Sequence, residues 1–132
     1  MNINKDTIQY INFFEKLTKA KVKNCFANNI LTFVVNFGEM GKAIGKKGVN
    51  VKKIANLTKK KIKIVEFNPN PSIFIKNMIY PLKASEIKQD NTTIEIQADT
   101  KTKGLLIGRN QKNLKDLKEI FNHYFKDIQI KI

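Results

Sequence analysis

Two glycines that enclose two lysines, Gly45-Lys46-Lys47-Gly48, are the part of this sequence whose residue types are best suited to bind a ligand. Glycine permits the positive φ and the close backbone approach that a tight turn requires. Apolar residues flank the four at helical spacing, so the pattern predicts a helix, a turn and a second helix beginning at Gly48. The first N–H groups of a helix lack intrahelical acceptors and carry the positive end of the helix dipole. These N–H groups, together with the ammonium groups of Lys46 and Lys47, indicate an anion site suited to phosphate groups.

The charge of the chain favours a polyanionic partner. Its 132 residues include 25 Lys+Arg and 11 Asp+Glu, a net charge of +14, and such an excess is most effective against phosphates through counterion release. Nine lysines lie between Glu39 and Glu66, with no acidic residue among them. The alternative interpretation is a lysine-rich composition that only keeps the surface hydrated, but it would not concentrate lysines around the glycine turn.

Local patterns predict the elements that position this turn. Apolar residues at helical spacing predict a helix over 6–19, and strands are expected over 21–26 and 30–37. Leu31, Phe33, Val35 and Phe37 alternate, which predicts one buried face for the second strand. Helices flank the turn, the second presenting Val51, Ile54 and Leu57 on one side, and a strand over 62–64 closes the unit. The predicted order is helix, strand, strand, helix, turn, helix, strand.

The segment Asn68-Pro69-Asn70-Pro71-Ser72 predicts a domain boundary, because two prolines two residues apart exclude regular structure. Pro71 suits the first turn of a following helix. We therefore predict two domains, residues 1–68 and 69–132. Their fold class is α+β, a two-layer α/β arrangement in which each domain packs a three-stranded sheet against helices.

The second half of the sequence repeats the first at an offset of 63 residues. Nine positions carry identical or similar residues in this register, including Gly41 with Gly104 and Gly45 with Gly108. This agreement indicates a duplicated module of about 65 residues, and it predicts that a second helix pair opens at Gly104. The same offset places Gln111 opposite Gly48. The second loop, Gly108-Arg109-Asn110-Gln111, thus lacks the second glycine, which predicts a weakened or rebuilt site.

The residues of the first loop match a known motif. Ile44-Gly45-Lys46-Lys47-Gly48, followed by Val51 and Ile54, resembles the I-G-x-x-G-x-x-I core of a KH domain, a single-stranded nucleic-acid module whose GXXG loop clamps about four nucleotides. The helix and strand expected before the motif resemble the type II form. Two such domains, together with Phe13-Phe14-Glu15, the stretch 39–45 and Phe74-Ile75-Lys76-Asn77, resemble the archaeal NusA family over almost the whole chain.

This resemblance implies a single-stranded RNA-binding transcription factor, not an enzyme, that acts on the nascent transcript in elongation or termination. RNA polymerase is the further partner that this resemblance raises. The alternative function is a ribosome-associated or ribonucleoprotein assembly protein, whose partners would be ribosomal particles. The RNA-binding candidates in the first module are Lys42, Ile44, Gly45, Lys46, Lys47, Gly48, Val51, Lys52 and Lys53. Those in the second module are Gly108, Arg109, Asn110, Gln111, Lys112 and Lys115.

The apolar members of this set have two interpretations. In the first, Ile44, Val51 and part of the strand from Leu31 to Phe37 form the walls of a groove that receives bases. In the second, Ile44, Val51 and Ile54 serve only the core and the glycine turn only joins two helices.

No pattern in the sequence indicates catalysis, a metal or a cofactor. Cys25 is the only cysteine, which excludes an internal disulfide and a cysteine-rich zinc site, and we expect it to be buried in a strand. His123 is expected on a helix surface or packed beside Tyr124. The sequence shows no long apolar run and no apolar signal-peptide region. We therefore expect a cytoplasmic protein, monomeric and without a membrane partner.

Overall fold

The computed structural model describes residues 5–28 and 30–132, and this chain divides into two compact units. The first unit extends to Asn68 and the second begins at Pro69. None of the described helices is long and apolar enough to cross a lipid bilayer.

The first unit has the element order that its sequence predicts. A three-stranded sheet has the spatial order β1-β2-β3, with β1 antiparallel and β3 parallel to the central strand β2. Phe33 in β2 lies opposite Cys25 on one side and Ile64 on the other. The elements are α1 (Lys5–Thr18), β1 (Val22–Ala27), β2 (Leu31–Val35), α2 (Met40–Ile44), α3 (Val49–Thr58) and β3 (Ile62–Glu66).

The second unit repeats this arrangement. Its sheet has the order β4-β5-β6, again with one antiparallel and one parallel pair. The elements are α4 (Pro71–Ile79), β4 (Glu86–Gln89), β5 (Thr93–Gln97), α5 (Thr100–Ile107), α6 (Lys112–Tyr124) and β6 (Gln129–Lys131). Two three-stranded sheets packed with helices confirm the predicted α+β class.

Buried apolar side chains hold the first unit together. The ring of Phe14 on α1 stacks on that of Phe33 in β2, with centroids 4.2 Å apart. Ala43 from α2 and Ile54 from α3 are fully buried in the same cluster. Burying a side chain such as Ile54 contributes about 2 kcal/mol. Both helices that flank the glycine turn are therefore anchored to the sheet by their own apolar residues.

An aromatic cluster joins α4 to α6 in the second unit. Phe74 lies 6.3 Å from Phe121 and 6.0 Å from Phe125, measured between ring centroids, and Tyr124 meets Phe74 edge-on at 5.7 Å. Pro71 occupies the first turn of α4, as predicted. The Asn70 side chain caps that turn by accepting from the N–H groups of Ser72 and Ile73.

Three details differ from the sequence predictions. β2 ends at Val35 and all five of its residues are buried, whereas Phe37 lies beyond the strand with 69% of its surface exposed. Leu57 is 65% exposed, because it borders an open groove beside Tyr10 and Phe13 instead of entering the core. Gly104 does not open α5, since that helix already begins at Thr100.

Candidate nucleic-acid interface

The glycine turn joins α2 to α3 through a single 3₁₀ turn, Lys46–Gly48. The N–H of Gly45 closes α2 by donating to the carbonyl of Gly41 at 3.0 Å. Within the turn, the N–H of Gly48 donates to Gly45 O at 3.2 Å, and the N–H of Val49 donates to Lys46 O. The turn is therefore an ordered, hydrogen-bonded loop between two anchored helices.

The two glycines of this loop serve different purposes. Gly45 has φ 76° and ψ 172°, a region that is essentially restricted to glycine. A Cβ atom there would also lie 2.7 Å from Asn50 Nδ2. Gly48 has φ 73° and ψ 19°, the left-handed conformation, and a Cβ atom there would meet no atom of the described residues within 4 Å. Gly45 is thus required by the fold of the loop, whereas Gly48 leaves open space above it.

The second loop has the same backbone conformation despite losing its second glycine. Gly108 adopts φ 74° and ψ 170°, and Asn110 matches Lys47 with φ 56° and ψ 29°. Gln111 adopts the left-handed conformation of Gly48, with φ 61° and ψ 22°. The backbone of the loop is therefore the same in both units, and the weakened or rebuilt second site stays a prediction. What changes is an exposed glutamine side chain above the loop.

Five exposed lysines lie in the first loop and on its two flanking helices, and we call this set the lysine face. Lys46, Lys47 and Lys52 line an open depression together with Val49, which is 44% exposed. The members of the lysine face are Lys42, Lys46, Lys47, Lys52 and Lys53.

Two features of the surroundings modify the predicted charge. The Lys42 ammonium lies 3.6 Å from Glu39 Oε2, and the other oxygen of Glu39 accepts from the N–H of Lys21. Lys63 is half-buried on β3, and burial lowers its pKa. Of the nine lysines between Glu39 and Glu66, the other eight are exposed. The positive charge is thus available at the surface, although the ion pair with Glu39 partly offsets the charge of Lys42.

The apolar candidates are only partly available to a ligand. Ile44 and Val51 are half-buried, whereas Ile54 is fully buried. The predicted wall, part of the strand from Leu31 to Phe37, is not formed by β2, because this central strand ends at Val35 and its five residues are all buried. The edge strand β3 contacts both α2 and α3 instead. β3 is therefore the strand that lies beside this helix pair.

The candidates in the second unit lie together but carry less charge. Arg109, Asn110, Gln111, Lys112 and Lys115 are all exposed around the loop that begins at Gly108. Asp116 replaces Lys53 at the 63-residue offset. Partial burial and the nearby Glu119 carboxylate raise the pKa of Asp116.

Sequence reasoning missed one residue beside each loop, at the start of the helix that follows it. The Asn50 side-chain amide donates to Lys42 O at 3.0 Å, and the Asn113 amide donates to Leu105 O at 3.0 Å. Both bonds join the helix after the loop to the helix before it. The available signal was the repeat, because the 63-residue offset pairs Asn50 with Asn113 and Lys42 with Leu105.

Residues that could support other chemistry are placed differently. Cys25 is fully buried, and burial raises the pKa of its thiol to about 12, so the reactive thiolate is disfavoured. His123 packs edge-on against Tyr124, with ring centroids 4.8 Å apart, and burial lowers its pKa. Within residues 5–28 and 30–132, no group of three or more His, Cys, Asp or Glu side chains is placed to hold a metal ion.

The helix-loop-helix and the sheet order define the class of this protein. The family model for the KH domain matches residues 8–80, more than half of the chain, and the chain belongs to this family. The match extends from the first unit into α4. KH domains bind single-stranded nucleic acid, so this is an RNA-binding protein built from two small type II KH domains.

The chain is similar to archaeal proteins named NusA. It is 29% identical to the probable transcription termination protein NusA of Methanocaldococcus jannaschii, over 96% of this chain and 72% of that one. It is 30% identical to the protein of the same name from Methanococcus vannielii, over 86% and 69%. The crystal structure of APE1850 has 27% identity and a TM-score of 0.74, over 98% of this chain and 99% of that chain. The predicted resemblance to archaeal NusA is confirmed.

Proposed function

We propose that the chain binds the nascent transcript as single-stranded RNA through Gly45-Lys46-Lys47-Gly48, and that it acts in transcription elongation or termination. The observation that carries the RNA contact is the open space above Gly48, which lies among exposed lysines. Because Gly48 has no side chain, a strand of nucleotides can approach the loop backbone closely there. The names of the two archaeal relatives support the role in transcription.

Phosphate binding in this loop combines side-chain charge with backbone donors. The N–H groups of Gly48 and Val49 already donate within the turn. The contact therefore depends on the N–H groups of Lys46 and Lys47 and on their two ammonium groups. Charge-assisted hydrogen bonds of this kind are stronger than neutral ones.

The remaining residues of the first module extend this contact. Lys52 and Lys53 continue the positive surface along α3, and Lys42 joins it when phosphate replaces Glu39 as its partner. Ile44 and Val51 offer partly exposed apolar surface against which bases can pack. The RNA thus contacts charge on one side and apolar atoms on the other.

Residues 1–68 and 69–132 are the two domains in this proposal, and the second is the weaker extension. Gly108, Arg109, Asn110 and Gln111 supply its loop, with Lys112 and Lys115 beside them. Gln111 occupies the space that Gly48 leaves open, so the phosphate backbone cannot approach as closely. RNA polymerase is the protein partner in this proposal, because the relatives' printed name, transcription termination protein, places them in transcription.

A double charge reversal tests the RNA contact. Lys46→Asp with Lys47→Asp should weaken the binding of a fluorescein-labelled single-stranded RNA dodecamer by about tenfold or more. It should also reduce the salt slope of binding by roughly one for each phosphate that the loop no longer binds. The matched control is Lys83→Asp with Lys126→Asp, two exposed lysines outside helices and strands. The contact is wrong if both variants bind equally well at moderate salt while their circular dichroism is unchanged.

The transcription role needs a separate experiment. RNA and protein crosslinked to the chain in cell extract should be nascent transcripts and RNA polymerase. Recovery of ribosomal RNA with ribosomal particles would instead favour the ribonucleoprotein assembly role.

A further inference from the structure

Each loop is bridged by one asparagine that lies five residues after the first glycine. Asn50 Nδ2 donates to Lys42 O and Asn113 Nδ2 donates to Leu105 O, both at 3.0 Å. These carbonyls lie in the last turn of α2 and α5, where helical C=O groups lack intrahelical donors. The asparagine therefore satisfies a free carbonyl and ties the two helices of the pair together.

The same asparagine packs against the first glycine. A Cβ atom at Gly45 would lie 2.7 Å from Asn50 Nδ2 and 2.9 Å from its Cγ. A Cβ atom at Gly108 would lie 2.7 Å from both Asn113 Cγ and Asn113 Nδ2. The bridge thus requires a residue without a side chain at the first loop position. Glycine and asparagine form one structural unit with a spacing of five residues.

We propose that Asn50 and Asn113 are positioning residues that hold the two loops in their binding-ready conformation. In this view the glycine–asparagine pair specifies the backbone of the loop, and the second glycine specifies how closely a ligand can approach. The second loop supports this division of roles, because it keeps Gly108 and Asn113, lacks the second glycine and has the same backbone. The consequence for RNA affinity rests on the function proposed above.

Hydrogen exchange in the RNA-free full chain tests the positioning role directly. Asn50→Ala should accelerate exchange of the Gly48 and Val49 amides, which donate within the turn, by about fivefold, the factor expected for one hydrogen bond. The amides of β1, β2 and β3 should be unaffected. Asn113→Ala should do the same to the amides of Gln111 and Lys112. Asn56→Ala, an exposed asparagine on α3, is the matched control and should change neither loop.

An isosteric variant separates the hydrogen bond from packing. Asn50→Asp keeps the shape of the side chain, but its carboxylate cannot donate to Lys42 O at neutral pH. It should therefore accelerate exchange at Gly48 and Val49 as Asn50→Ala does. Exchange that stays at the wild-type rate in Asn50→Ala and in Asn113→Ala would overturn the proposal. So would acceleration that spreads equally through the sheet, since that would indicate a general loss of stability.

The affinity measurement distinguishes this inference from the proposed function. Asn50→Ala should weaken binding of the labelled RNA dodecamer by about fivefold, while Asn56→Ala binds as the wild type does. If wild-type protein does not bind the RNA, the proposed function fails, and the exchange result still decides the role of the asparagines. If the wild type binds and Asn50→Ala loosens the loop without changing affinity, the loop conformation is not what the RNA requires.

Discussion

The two glycine loops of this molecule share a backbone but not a surface. Gly45 and Gly108 agree within 2° in φ and ψ, and Lys47 and Asn110 agree within 1°. Above the fourth position, however, the first loop is open and the second carries the side chain of Gln111. The comparison shows that the conformation of the loop and the access it gives to a ligand are separate properties. The missing second glycine therefore leaves the conformation of the loop unchanged and alters only the space above it.

The charge around the two loops differs in the same direction. The outer positions of α3 include Lys52, Lys53 and Asn56, whereas the equivalent positions of α6 are Lys115, Asp116 and Glu119. In the function proposed above, two carboxylates on α6 would repel the phosphate backbone that the lysine face attracts. The open space above Gly48 and the charge on α3 would thus both favour phosphate binding at the first loop.

The largest effect is expected at the first glycine of each loop. Gly45→Ala must either abandon a conformation restricted to glycine or displace Asn50, and we expect a loss of about 3 kcal/mol from the free energy of unfolding. Gly108→Ala should be affected to a similar extent. Urea denaturation of the full chain, followed through NMR signals of the unit that carries the substitution, measures both.

Gly48→Ala is the control for this prediction. Its Cβ atom would enter open space, so only the left-handed φ opposes it, at about 1–2 kcal/mol. Equal destabilisation by Gly45→Ala and Gly48→Ala would contradict the claim that the loop conformation requires Gly45 more strongly than Gly48.

A smaller effect is expected from transplanting the second loop onto the first. Lys46→Arg, Lys47→Asn and Gly48→Gln together reproduce the sequence Gly-Arg-Asn-Gln between α2 and α3. Because the second unit already shows that this sequence adopts the same backbone, the fold should persist. The affinity for the labelled RNA dodecamer should fall by about tenfold, or about 1.4 kcal/mol.

The converse substitutions sharpen the same comparison. Asn110→Lys with Gln111→Gly opens the second loop and adds a charge, which should strengthen RNA binding by a few-fold. The first-loop variant with Lys46→Arg, Lys47→Asn and Gly48→Gln gives the contradicting outcome. If it binds RNA as tightly as the wild type, neither the open space above Gly48 nor the charge of Lys47 limits the affinity.

Much of this architecture was predictable because it depends on short-range patterns. The 63-residue repeat, the alternation in Leu31–Val35 and the position of Pro71 indicated the order of the elements and the helix-loop-helix. Ile54 was correctly expected in the core. The errors at Phe37 and Leu57 arose because periodicity shows which face an apolar residue shares, but not where the strand ends or the helix layer stops covering it.

The internal contacts of the site were not predictable in the same way. The bridge from Asn50 to Lys42 spans eight residues and depends on how two helices meet at a turn, which residue spacing does not specify. The conformation of Gln111 was likewise hidden, because a glutamine in the left-handed region is unusual and only the folded loop reveals it. The repeat contained a clue to both, since it aligned the two asparagines and placed Gln111 opposite Gly48.

The smallest predicted effect concerns the helix that leads into each loop. The Asp99 side chain caps α5 by accepting from the N–H of Thr102 at 2.7 Å, and this hydrogen bond lowers the pKa of the carboxyl group. Glu39 at the start of α2 makes no such side-chain cap within the described residues. Because the folded pKa of Asp99 lies below its unfolded value of about 3.9, the cap stabilises α5 above that pH. Its contribution is lost as the pH falls through the lower folded pKa.

Acidification should therefore loosen the start of α5 through this cap, but should not act on α2 by the same route. The measurement is NMR detection of the Thr102 amide between pH 6 and pH 2, where its shift should titrate and its exchange should accelerate once Asp99 is protonated. Asp99→Asn keeps an acceptor oxygen without a titrating group, so the Thr102 amide should then show no such transition. An identical transition in Asp99→Asn would assign it to another acid. In that case the Asp99 cap would not distinguish the two loops in this pH range. They would differ only in the space above the fourth loop position and in surface charge.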